Sequence, residues 1–394
     1  MGFQAVQGPG LAASVLTEFA AAADTDVFVP ITAAHIDGCL FHGRASLDFA
    51  ERLLSEGARV KVPTTLNVSS LDVLHPRLYR GDPDVARDAR RLMDVYEALG
   101  CEPTWTCAPY QLRRRPEFGQ HIAWAESNAI VFANSVIGAR TNRYGDFIDV
   151  ACAVAGVAPF YGLHTDEGRL ATVVVRLVGF DPEVLDSDWL YPVFGTLLGR
   201  LCSRDIPAIV GLGVRTTEDR LKALGAGAAS TGALAMFHAV GSTPEAPTLA
   251  DATGGADLPE LVVRPEDIRA ERARLSSAGG DRPQAVSLGA PHYSPEELVR
   301  LGGWLRDRQV VMPLYVNTNR AAVEAAPAAV ELLAESGATV VTDTCTYITP
   351  IIDPRIRVVI TDSAKWAYYA PGNLGVSVLF ASAQDCVATA LGDR

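Results

Sequence analysis

The sequence predicts an α/β protein assembled from mostly parallel sheets in more than one unit. Three observations carry that reading. Short apolar, β-branched runs alternate with amphipathic helical stretches, the pattern of strand–crossover–strand connections. Several of those runs end in clusters of Thr, Asn, His, Ser or Cys, and in parallel sheets ligands gather at the carboxyl ends of strands. The texture also changes at Gly241–Pro259 and Ser276–Pro283, both rich in small and turn-forming residues. We therefore expect a first unit over 1–240, a connecting segment over 241–284 and a second α/β unit over 285–394.

The elements follow in order. Leu11 to Ala23 places Leu11, Val15, Leu16 and Phe19 at helical spacing, and Val27 to Ile31 reads as a short strand. Ser46 to Ser55 reads as a helix capped by Ser46, with Arg59 to Pro63 as the next strand. Asp82 to Leu99 carries one apolar helical face, and Thr104 to Tyr110 follows as a strand ending in a polar loop. Val173 to Val178 and Ala208 to Val214 are strand-like, the latter leading into a helix from Thr217. Beyond the connection, Ala285 to Gly289, Gln309 to Asn317, Ala338 to Thr342 and Arg357 to Thr361 read as strands. Helices over Pro295 to Asp307 and Ala321 to Ser336 separate them.

Composition narrows the function. The chain has 394 residues, 48% of them hydrophobic, enough for a sizeable core. A net charge of −12 argues against a nucleic-acid binder, which needs a basic face. No apolar run reaches membrane-spanning length, and no signal peptide opens the chain. Seven scattered cysteines do not form a disulfide framework and suit a reducing cytoplasm.

The densest polar stretch is Asn134 to Asp149, preceded by Glu126-Ser127-Asn128. Two guanidiniums and several amides make a poor core unless partnered, although the same residues make solvated turns. Cys152, Cys202 and Cys386 sit in apolar surroundings and read as packing residues. Cys39, Cys107 and Cys345 instead stand in polar company at the ends of expected strands; thiolates there suit iron–sulfur or zinc, and a buried thiol equally suits packing. His35, two residues before Asp37, is a candidate catalytic group. Lys365, in a run of small residues after a strand, can bind a carboxylate or reach solvent from a helix start.

Taken together, AHIDGCLFHG (34–43), KVPTTLNVSSLD (61–72), TCAPY (106–110), ESNAIVFANSVIGARTNR (126–143), DTC (343–345) and TDSAKWAYYAPG (361–372) resemble the catalytic part of the aconitase X family. The resemblance runs through nearly the whole chain. It implies a hydro-lyase acting on a small hydroxy acid with the help of iron. Cys39 in H-I-D-G-C-L is similar to the bacterial type, which dehydrates cis-3-hydroxy-L-proline; the archaeal type dehydrates a phosphorylated mevalonate. The resemblance further implies a [2Fe–2S] cluster on Cys39, Cys107 and Cys345, with mononuclear iron as the alternative. It would turn Thr64, Thr65, Ser127, Asn128, Asn134, Ser135, Arg140, Thr141 and Lys365 towards substrate, with Arg140 or Lys365 on the carboxylate. The family's small swivelling domain is not expected within this sequence, so a separate small subunit is the expected partner. A cluster-less, non-catalytic paralogue is the competing expectation.

Overall fold

The computed structural model describes residues 10–213 and 216–393. Three parallel sheets and one antiparallel pair form the framework. In the first sheet Ala34–Ile36 lies between Thr64–Leu66 and Ala123–Trp124, parallel to both. The second has the order His238–Ala239, Pro207–Val210, Val173–Leu177, Glu260–Val263, and all its pairs are parallel. The third has Ala285–Tyr293 at its centre. Leu314–Thr318 and Thr339–Val341 extend it on one side, Val358–Thr361 and Ser377–Phe380 on the other, again all parallel. Phe28–Pro30 pairs antiparallel with Val157–Pro159. The expected mostly parallel α/β architecture is what the chain adopts. The stretch 1–240 holds the first sheet and most of the second, which Glu260–Val263 completes from the expected connecting segment.

Most elements lie where the sequence puts them, and the differences have local causes. Ser46 is inside its helix, Arg44–Ser55. Gly43 takes the cap position with φ 133°, and the Ser46 hydroxyl donates to its carbonyl at 2.9 Å. The strand expected over Arg59–Pro63 starts later, at Thr64, because the Val60 and Lys61 amides donate to the Leu99 and Ala153 carbonyls instead of a ladder. Thr104–Tyr110 forms no strand. The Thr104 hydroxyl occupies both the amide and the carbonyl of Leu66, and Trp105 adopts φ 44°. Pro327 divides the expected helix 321–336 into Arg320–Ala325 and Pro327–Glu335. Val214, the end of another expected strand, lies outside the described residues.

The core is continuous beneath the second and third sheets. Helices Leu190–Cys202 and Glu218–Thr231 pack there at very short range: a Cβ on Gly195 would stand 2.2 Å from the Leu224 carbonyl oxygen. Phe194, Leu198, Leu224 and Phe237 are fully buried in this cluster, each burial stabilising the fold by about 1.5–3 kcal/mol. A second cluster wraps the first sheet with Leu16, Leu47, Leu92 and Tyr96.

Main-chain contacts join the first and third sheets. The Ser69 amide donates to the Asp343 carbonyl at 2.7 Å. The Asp72 carboxylate accepts the Thr342 amide at 2.9 Å and its hydroxyl at 3.1 Å. Asp343, at φ 63°, is held by Arg320 at 2.7 and 2.8 Å. These contacts fix the loop that carries Cys345.

Candidate active site

Segments far apart in sequence meet at the carboxyl ends of strands in the first and third sheets. Ala285–Tyr293 is buried along its whole length, but its pairing register shifts between Leu288 and Tyr293. Gly289, at φ 85°, lets the chain pass the Asn317 carbonyl; a Cβ there would stand 2.2 Å from that oxygen. The deviation leaves His292 facing Cys107, whose sulfur accepts the His292 amide at 3.3 Å. Cys345 follows Thr339–Val341 and comes to the same place. One donor atom each from Cys107, His292 and Cys345 lie within 4.8 Å of one another, all three residues buried; this is the only such group among the described residues.

The ring of His292 is anchored at both nitrogens. Nε2 lies 3.0 Å from the Thr344 carbonyl and Nδ1 lies 3.1 Å from the Thr106 hydroxyl. A carbonyl can only accept, so Nε2 carries the proton and Nδ1 presents its lone pair. An imidazole whose second nitrogen is held by a carbonyl is oriented as metal-bound imidazoles are. Burial pushes the Cys107 thiol up, but the Cys345 thiol donating to it, with His292 and Lys365 beside it, brings it below the ordinary thiol value. Cys345 is raised well above that value, first because it donates to Cys107 and then by burial. Two sulfurs and an imidazole suit iron or zinc, so the residues fit the implied cofactor.

Beside this group lies a buried ion pair. Lys365 sits in the first turn of Ala364–Leu374, which Ser363 caps through the Trp366 amide at 3.0 Å. Its ammonium donates to Glu126, and the two side chains are 5% and 4% exposed. Glu126 caps Ser127–Phe132, accepting the Ala129 amide at 2.7 Å. Its carboxylate also takes the Asn128 amide group at 2.6 Å and the Ser127 hydroxyl at 3.3 Å. Asn128 donates in turn to the Cys107 carbonyl at 2.6 Å and accepts from the Tyr110 hydroxyl at 2.7 Å. Burial works against a charged Glu126, but Lys365 and the Ala129 amide outweigh it and hold the carboxyl below its usual range.

The remaining neighbours come from the first sheet. His35 is fully buried; Nδ1 lies 2.8 Å from the Thr65 hydroxyl, and Nε2 has no partner. Burial drives it down to about 3, against the attraction of Glu126, so the ring is neutral. Asp37 is pushed up to about 8, first by burial and then by Glu126 and Asp146, with Asn67 opposing.

Comparison with known proteins decides the family. Residues 5–167, 171–273 and 283–392 match Aconitase X first domain, second domain and third domain respectively. The chain belongs to the aconitase X family. It is 43% identical, over 98% of its length, to a cis-3-hydroxy-L-proline dehydratase of Pseudomonas aeruginosa, and 40% identical, over 97%, to one of Hypocrea jecorina. It spans about two thirds of those relatives, 67% and 65% of their lengths. A phosphomevalonate dehydratase large subunit of Methanothermobacter thermautotrophicus is 36% identical over 89% of this chain and 87% of that protein. The crystal structure of Thermococcus kodakaraensis aconitase X in its holo-form superimposes with a TM-score of 0.86 at 32% identity, covering 96% of this chain and 95% of that one.

Within this aconitase X chain the expected residues separate into two places. Cys107, Cys345, Lys365, Ser127 and Asn128 converge as described, with His35 and Thr65 next to them. Cys39 is not in the donor group; its thiol lies 3.3 Å from the Ile36 carbonyl and 3.4 Å from that of Asn67, deep in the first core cluster. Burial raises it well above the ordinary value. The third residue grouped with Cys107 and Cys345 is His292. The Thr64 hydroxyl donates to the Val62 carbonyl at 2.8 Å. Asn134 donates to the Thr141 carbonyl at 2.9 Å and accepts from Arg169 at 3.0 Å. The Thr141 hydroxyl caps the Trp124 amide at 3.1 Å, and the Ser135 hydroxyl takes the Phe237 amide at 2.8 Å. Arg140 donates to the His164 carbonyl at 3.0 Å and to Asp166. Asn134, Ser135, Arg140 and Thr141 thus brace the polar stretch against its neighbours.

Two site residues were not assigned from sequence. Glu126 reads as an ordinary helix cap until Lys365 is seen against it. His292 stands in a Gly-Ala-Pro-His run, where a glycine inside a strand marks a bulge or close backbone approach.

Proposed function

We propose that this chain is the large, catalytic subunit of an iron-dependent hydro-lyase that removes water from cis-3-hydroxy-L-proline to give Δ1-pyrroline-2-carboxylate. The observation that carries the reading is the buried Cys107–His292–Cys345 donor set beside the Lys365–Glu126 pair, in a chain over 40% identical to a relative of that name. Cys107, Cys345 and His292 would hold the iron, as a [2Fe–2S] cluster or as a single ion. Bound iron would supply a Lewis acid for the departing hydroxyl.

The chain's own residues account for the rest. In cis-3-hydroxy-L-proline the hydroxyl shares the carboxylate's face of the ring and the Cα hydrogen lies on the other face, so loss of both is an anti elimination. Lys365 binds the carboxylate and favours the negative charge that develops there as the α-proton leaves. Asn128 ties Glu126 to the Cys107 loop, so the carboxylate-binding end and the donor end of the site keep their spacing. The burial of both groups excludes water and strengthens each electrostatic contact. The enamine product tautomerises to the cyclic imine. A small-subunit partner, of the kind that the large-subunit names of the archaeal relatives imply, would close the site. Seven free cysteines suit a cytoplasmic location.

Phosphomevalonate is the less favoured substrate. A phosphate needs several free cations, whereas Arg140 is engaged by Asp166 and Arg143 donates to the carbonyls of Gly232, Leu234 and Ala229. The test is anaerobic purification together with a small-subunit partner of the archaeal kind, followed by addition of cis-3-hydroxy-L-proline. The imine is trapped with o-aminobenzaldehyde while iron and sulfide are counted on the same sample. Turnover with iron present is the expected result. Iron-loaded protein that dehydrates phosphomevalonate but not the imino acid overturns the substrate, and iron-free, inactive protein overturns the enzyme.

A further inference from the structure

Resting on the substrate reading above, we propose that Glu126 and Lys365 together read an α-amino acid zwitterion. Lys365 takes the carboxylate and Glu126 takes the adjacent ring ammonium, which makes Glu126 the residue that admits an imino acid and rejects a hydroxy acid lacking the amine.

Both side chains are more than nine-tenths buried, and they neutralise each other. Among the protein's own side chains, the other groups that act on Glu126 bring no competing cation. His35 is neutral, Asp37 and the two sulfurs of Cys107 and Cys345 are acidic groups, and Tyr110 and Tyr347 are phenols raised well above their ordinary range by burial. A ligand bearing only a carboxylate would draw Lys365 away and leave Glu126 buried against a second negative charge. That is the costly arrangement, because breaking a buried pair exposes an uncompensated charge.

A zwitterion avoids it. Its carboxylate and ammonium hang from the same carbon, so it can enter between Lys365 and Glu126 and give alternating positive and negative groups with no change in buried net charge. Ser127, whose hydroxyl donates to the Glu126 carboxylate at 3.3 Å, is partly exposed, so this end of the pair is the one nearer solvent. Glu126 cannot drift from its post, since the Ala129 amide and the Asn128 side chain grip it from the helix it caps. An ammonium held beside Cα also favours loss of the α-proton, so the contact that selects the ligand assists the reaction.

The experiment compares two unreactive ring analogues on the iron-loaded holoenzyme, L-proline and (S)-tetrahydrofuran-2-carboxylate, which differ only in ring NH2+ against ring oxygen. Binding is measured by calorimetry and by inhibition. L-Proline is expected to bind about 100-fold more tightly or better, the scale of one broken buried pair. In Glu126→Gln the preference disappears at unchanged iron content, while Glu126→Asp, which keeps the charge, retains it. Equal affinities in the wild-type enzyme, or a preference that survives in Glu126→Gln, overturn the proposal. Should Glu126→Gln not fold, the wild-type comparison and Glu126→Asp decide. Turnover of cis-3-hydroxy-L-proline is followed on the same wild-type sample. Its absence overturns the substrate reading, whereas turnover with equal binding of the analogues overturns only the role given to Glu126.

Discussion

Two buried polar networks draw on the polar stretch around Glu126 and Asn134, and they do opposite things. Around Arg169, which is 2% exposed, the guanidinium meets Glu245, the Asn134 side chain and the carbonyls of Asn134 and Leu163, so each of its nitrogens has a partner. Around Glu126 and Lys365 the pairing is also tight, but the neighbourhood holds an unpartnered imidazole nitrogen on His35, two cysteine sulfurs close to each other and a histidine nitrogen that only a hydroxyl meets. Both networks look alike in composition. The difference teaches that buried polarity by itself marks structure as readily as chemistry; what marks chemistry is unmet bonding capacity beside a charge that can change partners.

The comparison can be broken most directly at the sulfurs. Cys345→Ser and Cys107→Ser should lose nearly all bound iron, whereas Cys39→Ser and Cys386→Ser should keep it, as read by iron per chain after anaerobic purification. Iron retained in Cys345→Ser would remove the donor set from the argument. Next in size, Lys365→Met should lower activity by about 1000-fold or more and destabilise the fold by about 3–5 kcal/mol, because Glu126 is left buried and unpaired. The double variant Lys365→Met/Glu126→Gln should regain much of that stability in denaturant titrations without regaining activity. Recovery of turnover would mean that the pair is only structural.

The other network should respond in stability alone. Arg169→Met leaves Glu245 and the Asn134 groups without their donor and should cost about 3 kcal/mol, with iron per folded chain unchanged. Smallest is Arg140→Ala. Its partner Asp166 is 82% exposed, so the lost pair should cost about 1 kcal/mol or less, and KM should move only slightly. A large rise in KM would return Arg140 to the carboxylate and take Lys365 off it.

Much of this was legible in the sequence. The alternation of strands and helices follows from apolar periodicity, and it is clearest in the third sheet, whose three central strands are buried along their whole length. Cys107, Cys345 and Lys365 stand out because soft or charged groups rarely sit among small residues at strand ends without a partner. His292 did not stand out: only the register shift past Gly289 turns a strand residue into a donor, and that shift depends on the Asn317 carbonyl in the next strand. Cys39 was legible as a thiol in polar company, yet the polar company belongs to the far side of the turn, where Asp149 takes the Asp37 amide at 2.7 Å and the sulfur is left facing carbonyls. Asn134, Ser135 and Thr141 show the reverse. Their chemistry is that of a site, but their polar atoms are taken up by structure: Ser135 holds the Phe237 amide, Thr141 the Trp124 amide, and Asn134 the Ala235 carbonyl and Arg169.

The stitches between the first and third sheets have a consequence for how the molecule breathes. The amides of Ser69 and Thr342 lie outside any regular ladder, in loops that would ordinarily fray first, yet both are buried and bonded across the junction. Their hydrogens should therefore exchange with solvent only when the two sheets part, at the rate of the deepest opening and not of local loop motion. The two halves of the donor set then share a single cooperative unit: neither loop can loosen without the other, and the site is either whole or absent.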